Sequence, residues 1–172
     1  MSQLSADSYQ HSAERTHKQV IVIRKDLNMR KGKMVAQGSH ASMRAALCRG
    51  QVVGNELRIP LDADLGPWLL GRFTKVCVHV PDEAALFDVF NRAKEAGIPC
   101  ALIQDSGLTE FNGIPTYTSV AVGPALKEAV DRITGELPLF STSSLEGASC
   151  PLRPFKGCCH ASSSHSRPRR PA

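Results

Sequence analysis

Residues 19–48, QVIVIRKDLNMRKGKMVAQGSHASMRAALC, decide how this chain is read. Gln19–Ile23 is a short, nearly continuous β-branched run, the pattern of a strand covered on both faces. From Lys33 to about Cys48 the spacing becomes helical, and Gly50 stands where such a helix would close. Between the two, residues 24–33 carry Arg24, Lys25, Arg30, Lys31 and Lys33 against one acid, Asp26. At about 100° per residue, Lys33, Gln37, His40 and Arg44 fall in one narrow sector of the helix. Met34, Gly38, Ala41, Ala45 and Cys48 fall in another, and most are small enough to let a helix lie close on a sheet. One face is therefore expected to bury, while the other presents an ammonium, an amide, an imidazole and a guanidinium in a row. A merely solvated face is the plain alternative. Against it stand the helix start, where backbone N–H groups favour an anion, and the basic loop before it.

Outward from this stretch, Thr74–Val80 alternates with period two and predicts a strand. Pro81, Asp82 and Glu83 then open a helix that runs to Lys94 and ends by Gly97. Cys100–Asp105 predicts a third strand and Tyr117–Val122 a fourth, followed by Pro124 and a last helix to about Ile133. The order β-α-β-α-β-β-α argues for an α/β layer fold with a mixed sheet. Right-handed crossovers place the first helices on the sheet faces. Ligands in such folds gather at the carboxyl ends of parallel strands, where the 24–33 loop and Asp105 are expected. Asp105 followed by Gly107 is a common turn pattern, yet functional loops concentrate at such strand ends. Thr109 and Thr118 add hydroxyls to the same edge if the third and fourth strands are neighbours. A carboxylate, a lysine and hydroxyls suffice for ester hydrolysis: one orients water, and Lys33 with backbone N–H groups stabilises an oxyanion. Spacing alone does not name the ester.

Composition narrows the class. With 42% hydrophobic and 22% charged residues, the chain is an ordinary globular one rather than collagen-like, coiled-coil or wholly disordered. No apolar run approaches the roughly 18 residues of a membrane span, and no signal-peptide core is evident, so a cytosolic protein without membrane contact is expected. Of the net charge of +5, +4 falls in residues 141–172, so the overall basicity says little about the folded part. The domain is expected over 19–140, between a disordered extension at 1–18 and a disordered basic Ser/Pro/Arg-rich tail at 141–172. Cys48, Cys77 and Cys100 lie in apolar stretches as small hydrophobes of a reducing compartment. Cys150, Cys158, Cys159, His160 and His165 could bind zinc but lack the paired CxxC spacing of a structural site, so an unstructured tail is the expectation, and Arg167–Arg170 could add nonspecific, salt-sensitive RNA affinity. His79 is expected to pack, His17 to lie in the extension, and Trp68 with the phenylalanines to fill the core. Tyr117 alone among the strand residues could stack on a base, which argues against a base-stacking RNA-binding sheet. No GxGxxG follows the first strand, which disfavours a dinucleotide enzyme.

Residues 21–41 resemble the opening strand, loop and helix of the peptidyl-tRNA hydrolase family of the archaeal and eukaryotic type, with the specific block Lys31-Gly-Lys33, Ala36-Gln37 and His40-Ala41. Asp105 to Thr109, Thr118 to Pro124 and Asp131 to Phe140 resemble its later blocks in the same order. The resemblance implies a three-layer α/β/α sandwich around a four-stranded mixed β-sheet, and hydrolysis of peptidyl-tRNA without metal or other cofactor. It implies a cleft of Lys33, Gln37, His40, Asp105, Thr109 and Thr118. Asp105, aided by Thr109, would position or deprotonate water, Lys33 would support the oxyanion or leaving ribose, and Gln37 and His40 would orient substrate. Arg24, Lys25, Arg30 and Lys31 would hold tRNA phosphates, with Arg44 on the same helix face. Leu108 and Glu110 depart from the family's usual basic residue and Gln, and an acid at 110 is expected to weaken RNA contact or redirect a hydrogen bond. The insert 49–73 has no assigned counterpart. A noncatalytic tRNA-binding module, or a hydrolase of another acyl ester, are the alternatives.

Overall fold

Four apolar strands meet because each has a hydrophobic side to bury on both faces of one sheet. The computed structural model describes residues 16–140; the 1–15 stretch and the 141–172 tail, with its Cys/His cluster and Arg167–Arg170, lie outside the described residues. The elements are β1 (His17–Arg24), α1 (Lys31–Leu47), β2 (Gln51–Val53), β3 (Glu56–Arg58), α2 (Leu65–Leu69), β4 (Lys75–Val80), α3 (Glu83–Glu95), β5 (Cys100–Asp105), β6 (Thr116–Leu126) and α4 (Lys127–Thr134).

The main sheet has the order β4-β1-β6-β5. β1 runs parallel to β4 and antiparallel to β6, and β5 is antiparallel to β6, so β1, β4 and β5 end on one edge. Alternation along the strands divides two cores. Val20 and Val22 of β1, with Val78, Val80, Val120 and Val122, meet Leu86, Val89 and Ala93 of α3 and Val130 and Ile133 of α4. On the other face Ala101, Ile103 and Ala121 meet Ala41 and Ala45 of α1, while Ile21 and Ile23 pack on Met29. Helices thus lie on both faces of a four-stranded mixed sheet, as expected. Each fully buried Val contributes roughly 1.5–3 kcal/mol. Asp82 caps α3 by accepting from the Ala85 amide at 2.9 Å, a contact worth about 1 kcal/mol.

Several elements differ from the sequence expectation. β1 starts at His17, so His17 and Lys18 pair with Leu126 and Ala125 instead of belonging to an extension. α1 starts two residues early, at Lys31. In the 49–73 insert, for which the sequence predicts no elements, β2 and β3 form a hairpin and α2 follows, with Trp68 buried as expected and donating to the Thr74 carbonyl at 2.8 Å. β6 runs through Pro124 to Leu126, because its register against β1 shifts between Lys18 and Val20 and frees the ladder where proline has no N–H. Cys48 and Cys77 are exposed, and Phe73 is 46% exposed over the Lys75 ammonium instead of in the core. The outer edge of β4 is partly covered by the chain at 138–140, through His79 N–H to the Pro138 carbonyl and Phe140 N–H to the Cys77 carbonyl, each 3.0 Å.

Candidate active site

The edge where β1, β4 and β5 end receives the start of α1 and the loop that leaves β5. β5 ends at Asp105, and the loop folds back at once: Gly107 has φ +82°, and a Cβ there would stand 2.3 Å from the Ile114 carbonyl oxygen, so only glycine fits. The Gly107 amide donates to Asp105 Oδ2 at 2.9 Å, which fixes the carboxylate at the root of the loop.

Around Asp105 the structure brings together five of the expected residues. Lys33 Nζ lies 2.7 Å from Asp105 Oδ1 and donates to Thr109 Oγ1 at 2.9 Å, with the Phe111 ring beneath it. Gln37 Nε2 donates to the same Oδ1 at 3.0 Å, and Gln37 Oε1 accepts from the Thr118 hydroxyl at 2.6 Å. Ser119 Oγ, which sequence reasoning missed, donates to the Gln37 carbonyl at 3.1 Å. The Lys33 and Asp105 side chains are only 11% and 12% exposed, so this ion pair is shielded more than a surface pair. Burial pushes the Asp105 carboxyl up, but donation from Lys33, the Gly107 amide and Gln37 outweighs it and holds the group below its ordinary value.

The other expected residues lie elsewhere. Gln37 is 2% exposed and belongs to the buried side of α1, together with Gly38, Ala41, Ser42 and Ala45. His40 and Arg44 are exposed and take no part in the network. The polar sector therefore straddles the border of the buried face instead of forming one row. Arg24 is not available to a phosphate: it is 9% exposed, and its guanidinium donates to Asp26 at 3.1 and 2.7 Å, to Glu83 at 2.6 Å and to the Tyr117 carbonyl at 2.9 Å. The hydrogen bond to Asp26 raises its pKa further, against the opposing effect of burial. It braces the start of α3 against β1. Lys25 and Lys31 are exposed at the same edge. Arg30 is exposed and paired with Glu110, Nε to Oε1 at 2.7 Å, so the acid is redirected into an ion pair.

His79 packs, as expected: its ring meets Phe140 edge-on at 5.7 Å, and burial, then the Lys25 charge, lower its pKa. His17 faces Asp64 at 3.8 Å, far from this cleft in role. Among the described residues no helix is long and apolar enough to cross a membrane.

The model of the family described as peptidyl-tRNA hydrolase PTH2 matches residues 17–140. A curated protein of Methanocaldococcus jannaschii named peptidyl-tRNA hydrolase is 43% identical over 123 residues, covering 72% of this chain and 99% of that protein. Proteins of the same name from Thermococcus onnurineus and Aeropyrum pernix are 42% and 41% identical over 129 and 125 residues, each covering 72% of this chain and 97% and 96% of their own lengths.

Proposed function

The chain belongs to the peptidyl-tRNA hydrolase PTH2 family, and from that premise we propose that it hydrolyses the ester joining a peptide, or an N-blocked amino acid, to the end of tRNA at the Lys33–Asp105 cleft. The observation that carries the site is the Lys33 ammonium held between Asp105 Oδ1 and Thr109 Oγ1. An ammonium has three N–H donors. Two are engaged here, and the third is left for the carbonyl oxygen of the scissile ester, where negative charge grows in the transition state.

Asp105 acts mainly by holding Lys33. Its Oδ1 accepts from Lys33 and Gln37 and its Oδ2 from Gly107, and a carboxylate held below its ordinary pKa is a weak base. Its remaining lone pair and the Thr109 hydroxyl orient the attacking water instead of stripping it. Water adds to the ester carbonyl and gives up a proton, the bond to the ribose oxygen breaks, that oxygen takes up the proton released by the water, and the peptide leaves with a free carboxyl group. Gln37, held by Thr118, keeps the carboxylate in register. Lys25, Lys31, His40 and Arg44, all exposed, are the proposed contacts to the tRNA backbone. Since tRNA engaged in translation is met in the cytosol, that is the proposed place of work.

The test is single-turnover release of labelled N-acetyl-aminoacyl groups from tRNA with EDTA present, for wild type, Lys33→Ala and Asp105→Asn. Rapid wild-type release lost in both variants supports a metal-independent hydrolase using this cleft. Absence of release by folded wild type, with tRNA still bound, points instead to a binding module of the same fold.

A further inference from the structure

Arg30 and Lys33 stand one helical turn apart at the start of α1, and adjacent loop residues hold them: Glu110 takes Arg30 and Thr109 takes Lys33. The two pairs are not alike. Lys33 is almost enclosed, whereas the Arg30 side chain is 77% exposed and its partner Glu110 only 13%. Glu110 binds the inner side of the guanidinium, Nε at 2.7 Å, and the Arg30 backbone N–H reaches its second oxygen at 3.4 Å. A guanidinium is a rigid planar fork of five N–H donors. Among the described residues no other hydrogen bond uses the two terminal nitrogens of Arg30, so its outer edge is open to solvent. Arg24, by contrast, spends all three nitrogens on Asp26, Glu83 and the Tyr117 carbonyl.

We infer that Glu110 is a positioning residue, which holds Arg30 so that its outer edge grips the phosphate of the terminal tRNA nucleotide while Lys33 meets the ester. This rests on the hydrolase reading above. The spacing suits it: three helical residues rise about 4.5 Å, and the phosphate lies one ribose away from the ester on the same nucleotide. Bidentate binding of phosphate is what a guanidinium does better than an ammonium. A free arginine would surrender several rotatable bonds on binding, and the Glu110 contact has already removed that freedom. The competing effect is repulsion between Glu110 and the phosphate. It is blunted because the positive guanidinium lies between them and the rim is wet.

Steady-state hydrolysis of N-acetyl-aminoacyl-tRNA by the full chain decides which effect wins. Glu110→Ala is expected to raise KM about fivefold with kcat little changed, the mark of a lost contact made equally in ground and transition states. Arg30→Ala should raise KM similarly and lower the slope of log kcat/KM against log salt by about one, as for a single phosphate contact. The double variant should be no worse than Arg30→Ala alone. Glu56→Ala, which removes an exposed acid on the β2–β3 hairpin, controls for general charge. A KM that falls or stays constant in Glu110→Ala, or additive effects in the double variant, would overturn the inference. Should the loop collapse in Glu110→Ala, an unchanged salt slope in Arg30→Ala still overturns it, since that side chain is on the surface. Wild type that turns over while these KM values stay put defeats this inference alone; wild type that never releases the acyl group defeats the hydrolase reading itself.

Discussion

Two buried glutamines lie on the α1 side of the sheet, and they are bonded almost identically. Gln19 of β1 accepts from the Ser42 hydroxyl at 2.6 Å and donates to the carbonyls of Gly123 and Ser42 at 3.1 and 3.3 Å. Gln37 of α1 accepts from the Thr118 hydroxyl at 2.6 Å and donates to Asp105 at 3.0 Å. Both are buried, at 0% and 2% exposure, and both satisfy the rule that buried amides find partners. They differ in where the chain of bonds stops. The Gln19 cluster closes on neutral backbone and shares its bonds with nothing outside. The Gln37 cluster runs on through a carboxylate to an ammonium and ends at Thr109, which is exposed. A buried polar network becomes chemical equipment when it runs through charged members out to the solvent edge; otherwise it is a fastening between helix and sheet.

The sharpest way to break this contrast is to remove the charged end. Lys33→Ala is expected to lower the single-turnover rate about 10³-fold, the upper range for one oxyanion donor, and to lower the unfolding temperature as well, because the shielded Asp105 carboxylate loses its cation. Asp105→Asn keeps the shape but not the charge that holds Lys33, and about 10²-fold is expected. A Lys33→Ala enzyme that keeps its rate would make the Gln37 network as structural as the Gln19 one. The pH dependence carries the same message. Asp105 has a folded-state pKa below its ordinary 3.8, so its stabilisation is complete above that value and is lost as pH falls through the lowered one. The rate should therefore show no Asp105 inflection between about pH 5 and 8. The stability gap between wild type and Asp105→Asn should narrow only below pH 3.8, as read by denaturant unfolding across that range.

What the residues alone revealed follows the same division. β1, β4, α3 and β5 were legible because their apolar spacing matches a face they bury, while the block from Lys31 to Ala41 with Asp105, Thr109 and Thr118 stood out through its resemblance to a family, and the structure brings Lys33, Gln37, Asp105, Thr109 and Thr118 together. The β2–β3 hairpin was not, since every residue in both strands is exposed and leaves no burial period. Arg24 looked like a phosphate ligand because its partner Glu83 is 59 residues away. Gln37 looked solvated because helical angles give the sector but not its border, which depends on where β5 and β6 lie under α1. The Arg30–Glu110 pair spans 80 residues, and no local pattern announces it.

The neutral cluster offers the converse test. Gln19→Leu leaves the Ser42 hydroxyl and the Gly123 carbonyl without their partner, and a loss of about 1–3 kcal/mol is expected in urea unfolding. The single-turnover rate of the folded fraction should stay near wild type. A drop in rate comparable with that of Asp105→Asn would mean that the two clusters are coupled through α1, and the division drawn above would fail.

Thr118→Val is the smallest change and the most discriminating, because Thr118 is the point at which the chemical network is fastened to the sheet. Its hydroxyl is fully buried and fixes which way the Gln37 amide faces: with Oε1 toward Thr118, Nε2 must face Asp105. Valine matches the shape but cannot donate, so Gln37 loses that constraint and keeps only its bond to the carboxylate. About 1 kcal/mol of stability and up to about tenfold in rate, the equivalent of 1.4 kcal/mol in the barrier, are expected to go together, with Thr118→Ser restoring both. If stability falls and the rate does not, Gln37 needs no help to hold Asp105, and Thr118 belongs with Ser42 as a fastening. If the rate falls as far as in Lys33→Ala, the five side chains act as one unit, and the line between fastening and chemistry moves one residue deeper into the sheet.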